Sequence, residues 1–534
     1  MPAEQKNTQS ANISNEYAVR LQKLNALKEM KINPYPSKYK RNITAKEALE
    51  KGEKGPLRMV EDILKNKSKN TLKLSGRLMS FREHGKLSFG HLKDFFGKIQ
   101  ICFMEDLIGK DKYKFLKKID IGDHIGVEGE LFKTKHGEIT LLVYDVIILS
   151  KTLRPLPEKW HGLTDQEEIY RQRYLDTTMN RESLDRFIFR SNFVKALREF
   201  YWSEGFIEIE TPVLENISSG ATARPFITHH NALDIDVYLR IAAGELWQKT
   251  ALVGGFEKTF EVARCFRNEG IDPSHLQEFS MVEHYAAYWD FEDNMDFTEK
   301  MISSLIKKLI GKMQVMVKDR DGNDVEIDFT PPWPRKEFTK IILEDSGIDI
   351  LASSDEKKLL AEIKKKKIVI DDAHKLGYGN LVDALYKKVS RPKLIQPTFV
   401  IKHPVMTKPL ARLNDDDPRL CDTFQLLVNT WEVVNAYSEI VDPVDQRKRF
   451  EQQASARVQG DEEAMMINEE YLIAMEHGMP CASGWGMGID RIVTLLTGQK
   501  NLKDSVLFPL MRQNEEIVRK QNKVLEKAKK MAKK

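Results

Sequence analysis

Between residues 71 and 150 the chain passes through five short segments of strand character: 71–79, 86–92, 98–103, 124–132 and 139–149. Glycine-containing turns such as Phe96-Gly97-Lys98 and Lys135-His136-Gly137 separate them. The pattern predicts a small Greek-key barrel of the oligonucleotide-binding kind. Side chains alternate along a strand, so Phe89 and His91 are expected on one face and Ser88, Gly90 and Leu92 on the other. An unrelated small β-domain would show the same alternation, so this segment by itself leaves nucleic-acid binding open.

The 534 residues allow about three to four folding units at roughly 150 residues each. Ahead of the barrel, Val19, Leu21, Leu24, Leu27 and Met30 form an approximate apolar stripe that predicts a helix, stopped by Pro34 and Pro36. It reads either as a surface helix packed on its own domain or as one that also touches RNA. After the barrel, the prolines of Leu153-Arg154-Pro155-Leu156-Pro157 predict an extended linker. Beyond Arg181, helical and strand signals mix into one large domain. Helices are predicted near 184–204, 291–310, 355–364 and 450–459, and strands near 206–211, 258–267, 279–288, 399–401, 424–437 and 483–487.

Composition narrows the function classes. A hydrophobic fraction of 41% with 31% charged residues excludes a mostly disordered chain. No run of about 18 apolar residues occurs, so no membrane span is expected. The polar N-terminus lacks an apolar signal core. Cys102, Cys265, Cys421 and Cys481 are scattered without metal-ligand or disulfide spacing, which fits a reducing cytoplasm. A net charge of +4 is too balanced to argue for a nucleic-acid partner.

Three segments carry candidate chemistry. In the first, a strand ends at Arg267, a turn follows through Asn268-Glu269-Gly270, and a second strand starts near Phe279, with His275 in the loop. An arginine at a strand end suits a carboxylate or phosphate. On the second strand Phe279, Met281, Glu283 and Tyr285 share a face, so a carboxylate and a phenol could receive an ammonium group. A structural ion pair with packed aromatics would look the same. In the second segment, Ser483-Gly484-Trp485-Gly486-Met487-Gly488 leaves one strand face without side chains, where a flat ligand could lie. Arg491 then opens a helix, a place that favours an anion. Tight packing explains the glycines equally well. The third segment is 424–439. As a regular strand it would put Asn435, Tyr437 and Glu439 on one face and Glu432 on the other. Two acids and an amide could organise magnesium and phosphate, or form salt bridges only.

Together the three segments resemble the class II aminoacyl-tRNA synthetases. Glu208-Ile209-Glu210-Thr211-Pro212, Phe266-Arg267-Asn268-Glu269 and Gly486-Met487-Gly488-Ile489-Asp490-Arg491 look like the three signature motifs of that class. The resemblance sharpens to lysyl-tRNA synthetases through Arg224-Pro225-Phe226-Ile227-Thr228-His229-His230-Asn231, Asn435-Ala436-Tyr437-Ser438-Glu439 and Tyr170-Arg171-Gln172-Arg173-Tyr174-Leu175-Asp176. It covers residues 16 to 512.

The resemblance implies an α+β multidomain fold: an N-terminal OB-fold β-barrel plus a class II catalytic domain built on an antiparallel β-sheet flanked by helices. The implied division is 1–67 helical extension, 68–150 anticodon-binding barrel, 151–183 linker, 184–512 catalytic domain with a helical insertion, and 513–534 basic tail. It implies activation of L-lysine by ATP to lysyl-adenylate, transfer to the 3′ end of lysine tRNA, magnesium as cofactor, a homodimer, a cytoplasmic location and no membrane. By the family pattern Arg267, Glu269 and Arg491 are catalytic. Arg267 bridges the substrate carboxylate and the α-phosphate, with Asn435 assisting. Glu283, Tyr285 and Glu439 hold the ε-ammonium, Tyr437 lines the same pocket, and Gly220 and Glu245 hold the α-ammonium. Phe279 stacks on adenine near Glu269 and His275. Gly486 lies at the nucleotide, Arg491 contacts the γ-phosphate and Glu432 binds magnesium. In the barrel Phe89 stacks on an anticodon base while Arg82, Gln100 and Glu138 read base edges.

Two departures from the family pattern stand out. The position of a second acidic metal ligand, seven residues before Glu432, is Gln425, and an amide binds magnesium more weakly than a carboxylate. Arg240-Ile241-Ala242-Ala243-Gly244-Glu245-Leu246 is one residue longer than the family's Arg-Ile-Ala-Pro-Glu-Leu, which bears on where Glu245 sits. A bulge or bend is also predicted between Glu432 and Asn435, since strict alternation would separate them. The competing readings are a catalytically weakened paralogue that binds RNA or protein, and one that attaches lysine to a protein. The anticodon-type barrel speaks against the latter.

Overall fold

The computed structural model describes residues 3–157, 163–218, 220–221, 223–319, 321–353, 355–408, 410–458 and 465–532. The chain divides into two compact units, Met1–Leu163 and Thr164–Lys534.

The first unit opens with the helix Ala3–Glu29. Only part of the expected apolar stripe is buried. Leu24 and Leu27 are covered, whereas Val19, Leu21 and Met30 are exposed. Spacings of two to three drift around a helix, and it is Arg20, Leu24 and Leu27, four and three apart, that share its buried face. The barrel then closes in the order Leu72–His84, Leu87–Lys93, Lys98–Met104, Ile139–Ser150, His124–Lys133. Lys98–Met104 and Ile139–Ser150 pair in parallel and the other pairs are antiparallel. Leu74, Leu78, Ile99, Ile101, Ile125, Val127, Leu141 and Val143 fill the interior. The register slips at Glu128/Gly129, where a Cβ on Gly129 would stand 2.0 Å from the Leu142 carbonyl oxygen.

The second unit is built on an eight-stranded sheet ordered Arg335–Glu337, Thr398–Ile401, Thr423–Val428, Trp431–Ser438, Ala482–Gly488, Glu278–Ala287, Lys258–Phe266, Ile207–Glu208. Its pairs are antiparallel except the outermost one at each edge. One face is covered by the helices Arg181–Ser203, Phe291–Ile310 and Ile489–Leu496, whose apolar sides join the sheet in one core. Tyr201 stacks on Phe260 at 4.4 Å, and its hydroxyl meets His284 Nδ1 at 2.8 Å. His284 Nε2 meets Asn294 Oδ1 at 2.8 Å, and its ring stacks on Trp485. Burial holds His284 at a pKa of about 3, so the imidazole is neutral. Phe338–Ser346, Glu356–Lys365 and Tyr378–Val389 are helices with a small core of their own.

The region expected as one strand over 424–437 is instead a hairpin. It turns at Asn429 and Thr430, both left-handed with φ of 49° and 65°. The turn carries no glycine, so it lacks the usual hairpin signal. Its backbone is held from outside: the Asn429 and Thr430 amides donate to Ile395 and Leu394, and Arg391 Nε donates to the Thr430 carbonyl at 2.9 Å. Among the described residues no helix is long and apolar enough to cross a membrane.

Candidate active site

The sheet face away from the helices carries the chemistry. Along Glu278–Ala287, Val282, His284 and Ala286 go to the helical core, so Phe279, Met281, Glu283 and Tyr285 project to the other side as the alternation predicts. The glycine strand lies between two chemical strands. Gly484 pairs with Tyr285 and Tyr437, and Gly486 pairs with Glu283 and Asn435. A Cβ on Gly484 would stand 2.2 Å from Glu439 Oε1 and 2.5 Å from Tyr285 Cε1. The space over Gly484 is therefore not a bare floor for a flat ligand. The chain's own carboxylate and phenol fill it, because the neighbouring strands bring them inward over the missing side chain.

Helix Glu245–Val253 adds two charged groups one turn apart, Glu245 and Lys249. Lys249 Nζ lies 2.6 Å from Glu245 Oε1 and 2.6 Å from Glu439 Oε2, with the Tyr285 and Tyr437 ring centroids each 5.7 Å away. The Tyr437 hydroxyl donates to Glu245 Oε1 at 2.8 Å. Glu283 Oε1 accepts from the Ala243 amide at 3.0 Å. Its Oε2 has no hydrogen-bond partner among the described residues, and neither does Glu439 Oε1. Burial and then the nearby Glu245 push the Glu283 pKa up to about 8. Burial also raises Glu439, whereas Glu245 and Glu439 keep the buried Lys249 ammonium protonated against the cost of desolvation. Sequence reading missed Lys249; the four-residue spacing from Glu245 was the available signal.

The longer 240–246 segment still delivers Glu245 to this pocket. Gly244 caps the helix at φ 70°, and a Cβ there would sit 2.2 Å from Thr211 Oγ1. The additional residue is thus taken up by a left-handed glycine packed on Thr211. A Cβ built on Gly220 would lie 3.1 Å from Glu245 Cβ, so those two expected partners are neighbours.

Towards the other end of the cleft, the Arg267 guanidinium lies 5.2 Å over Phe279, and its Nε donates to the Ile241 carbonyl at 3.1 Å. Glu269 is half-buried beside it in sequence. His275 is exposed and turned onto its own loop, with Nδ1 2.7 Å from Asp272 Oδ2. On the hairpin Gln425 pairs with Asn435. The register then slips, with Leu426 opposite Val434 and Leu427 opposite Glu432, so Val433 is the additional residue. Val433 and Val434 both enter the core, which returns Glu432 to the side of Asn435. The bulge between Glu432 and Asn435 is where it was expected. Arg491, in the first turn of Ile489–Leu496, donates from Nη1 to the Glu432 carbonyl at 3.0 Å.

Lys408, which sequence reading did not single out, donates from Nζ to Asn435 Oδ1 at 2.7 Å. Burial opposes the charge on Glu432, but Lys408, then Arg491 and Arg391, hold its pKa below the usual carboxylate range. The donor set on the hairpin is one carboxylate and two amides, and one amide oxygen already receives an ammonium. That set does not fit a divalent ion held by protein carboxylates; a magnesium ion held chiefly by nucleotide phosphates needs only the one carboxylate.

In the barrel, burial along Leu87–Lys93 alternates, with Phe89 and His91 on the half-buried side and Ser88, Gly90 and Leu92 inside. Arg82 is exposed and pairs with Phe89 across the first two strands. Gln100 Nε2 donates to Glu138 Oε2 at 2.6 Å, and His91 Nε2 lies 3.5 Å from Glu138 Oε1. The four expected base-reading residues are thus on one region of the barrel, and His91 joins them.

Residues 165–512 match the family model described as tRNA synthetases class II (D, K and N), and residues 72–149 match the OB-fold nucleic acid binding domain. The antiparallel sheet, its glycine strand and its cleft are those of a class II tRNA synthetase. Proteins named lysine–tRNA ligase are similar over nearly the whole chain. That of Carboxydothermus hydrogenoformans is 46% identical over 92% of this chain and 97% of its own. That of Thermosipho africanus is 44% identical over 92% and 96%, and that of Thermotoga maritima 43% over 92% and 95%. The chain belongs to the lysine–tRNA ligase family.

Proposed function

We propose that the chain activates L-lysine with ATP and transfers it to the 3′ end of lysine tRNA. The observation that carries this is the charge of the pocket. Among the described residues, Glu245, Glu283 and Glu439 are buried together with one ammonium, Lys249, so two carboxylates are left without an ammonium when all three ionise. Buried charges require partners, and L-lysine brings two ammonium groups. Gly220 and Glu245 receive the α-ammonium, and Glu283, Tyr285 and Glu439 the ε-ammonium, with Tyr437 as wall. Arg267 and Asn435 take the carboxylate.

In the first step the lysine carboxylate oxygen attacks the α-phosphorus of ATP, and pyrophosphate leaves. Positioning and charge stabilisation carry the rate, since no proton moves. Arg267 spans carboxylate and α-phosphate, Phe279 stacks on adenine beside Glu269 and His275, Gly486 underlies the nucleotide, and Arg491 meets the γ-phosphate at a helix start. Glu432 would be the one protein carboxylate to hold a magnesium ion brought by ATP, and the ion would supply neutralisation of phosphate charge. In the second step the terminal adenosine hydroxyl of the tRNA attacks the lysyl carbonyl and AMP leaves. The barrel reads the anticodon by stacking on Phe89 and by edge hydrogen bonds to Arg82, Gln100 and Glu138. The working division is 1–67 extension, 68–150 barrel, 151–183 linker, 184–512 catalytic domain and 513–534 basic tail, in a cytoplasmic homodimer.

The dimer reading rests on exposed apolar surface around the first signature segment. Trp202, Ile207 and Leu214 are about half exposed, and a groove of about 640 Å³ runs along helix Arg181–Ser203, where Phe187, Val194, Trp202 and Leu507 alternate with charged side chains such as Lys195 and Arg198. The deciding experiment for the activity is lysine-dependent ATP–pyrophosphate exchange, followed by charging of lysine tRNA. Exchange that does not respond to lysine would sink the assignment.

A further inference from the structure

The hairpin that would hold magnesium contains the wrong charges for it. Position 425 is neutral, and its cross-strand partner Asn435 already accepts a hydrogen bond of 2.7 Å from the Lys408 ammonium. Glu432, on the same side after the Val433 bulge, lies in the field of Lys408, Arg491, Arg391 and Lys387. One carboxylate therefore faces several cations, and Lys408 is turned into the cleft by its bond to Asn435, not out to solvent. An amide stands at 425, where the family pattern has an acid, and the Lys408 ammonium stands within reach of the same space. Both features act in one direction, since each removes affinity for a divalent cation and adds affinity for phosphate.

We propose that the Lys408 ammonium takes the place of one bound divalent cation and contacts the departing pyrophosphate portion of ATP. Lys408 is then a catalytic residue that neutralises the leaving group as the bond between the α-phosphorus and the bridging oxygen breaks. Burial lowers the Lys408 pKa, with Glu432 and Asp383 opposing the fall, and an incoming phosphate favours the ammonium, which needs no ion recruited from solution. The proposal rests on the ATP-dependent activation described above.

The test uses the full-length chain and reads nucleotide binding apart from turnover. ATP affinity is measured by calorimetry in excess EDTA for the unmodified protein, Lys408→Gln and Lys408→Arg. Lys408→Gln keeps a donor for Asn435 but loses the charge. It should weaken metal-free ATP by about tenfold or more, the size of one charge-assisted hydrogen bond, and Lys408→Arg should recover most of the loss. Manganese bound in the presence of a non-hydrolysable ATP analogue, counted by electron paramagnetic resonance, should rise by one ion per site in the double variant Lys408→Ser/Gln425→Glu. Unchanged ATP affinity in Lys408→Gln overturns the proposal. So does a variant that loses lysine affinity alone, because Lys408 would then only position Asn435. An unchanged manganese count in the folded double variant overturns it as well. Lysine-dependent exchange by the unmodified protein at saturating magnesium is run in parallel. Its absence would remove the activity assignment itself, which separates the two failures.

Discussion

Glu283 has one oxygen on the Ala243 amide and the other without a hydrogen-bond partner among the described residues, a costly arrangement for a carboxylate of which only 6% is exposed. Its function is written in that cost. Removing one partner from a buried charge pair costs about 3–5 kcal/mol, so Glu283→Gln and Glu439→Gln should each weaken lysine by that order while ATP affinity changes little. Substrate titrations of pyrophosphate exchange check this, and unchanged lysine dependence in both would disprove the pocket assignment. The pH response follows from the raised pKa. Unliganded Glu283 titrates at about 8 against an ordinary 4.5, and an arriving ammonium needs the ionised form. Lysine binding should therefore release protons near neutral pH and strengthen as pH rises towards about 8. Calorimetry in buffers of different ionisation enthalpy measures the release. A carboxyl group whose pKa is raised by folding stabilises the native state fully below its unfolded value and loses that contribution as pH rises through the folded one. The melting temperature of the unliganded protein should accordingly fall between about pH 5 and 8, and lysine should offset part of the fall.

Secondary-structure elements set which of these residues can meet. The Ala482–Gly488 strand lies between Glu278–Ala287 and Trp431–Ser438, and its glycines let the side chains of both neighbours converge. Gly484→Ala would drive a methyl group into Glu439 and Tyr285. It should reduce lysine affinity at least about tenfold, since overpacking a tight site costs about 1–3 kcal/mol, with adenine contacts at Phe279 intact. An alanine variant with normal lysine KM would show that the strand is not the pocket wall. In the barrel, Phe89→Ala should remove about 1–3 kcal/mol of RNA binding, as for one lost base stack. Charging of tRNA should suffer while pyrophosphate exchange persists. Equal damage to both reactions would mean that Phe89 serves folding instead.

At the level of the whole molecule, the groove along Arg181–Ser203, lined by apolar and charged side chains, and the exposed Trp202, Ile207 and Leu214 make a surface suited to a second copy of the chain. Trp202→Glu should shift the protein towards monomer and lower its exchange activity. Sedimentation velocity at micromolar concentration reads the first effect, and a purely monomeric unmodified protein would remove the dimer proposal.

Local periodicity was enough to place the five barrel strands, the Phe279–Tyr285 face and the alternating glycines, because alternation and turn residues are properties of a few consecutive amino acids. The bulge needed more than periodicity: the roles implied by the family resemblance put Glu432 and Asn435 on one side, which strict alternation forbade. The hairpin turn at Asn429-Thr430 was not legible. Two non-glycine residues hold positive φ there only because Ile395, Leu394 and Arg391, distant in sequence, bind their backbone. Lys249 and Lys408 were not singled out, as a lysine is ordinarily solvated. Only the packed sheet shows the first between two carboxylates and the second on Asn435, because the meaning of a charge is fixed by the charges that long-range folding brings within about 4 Å of it.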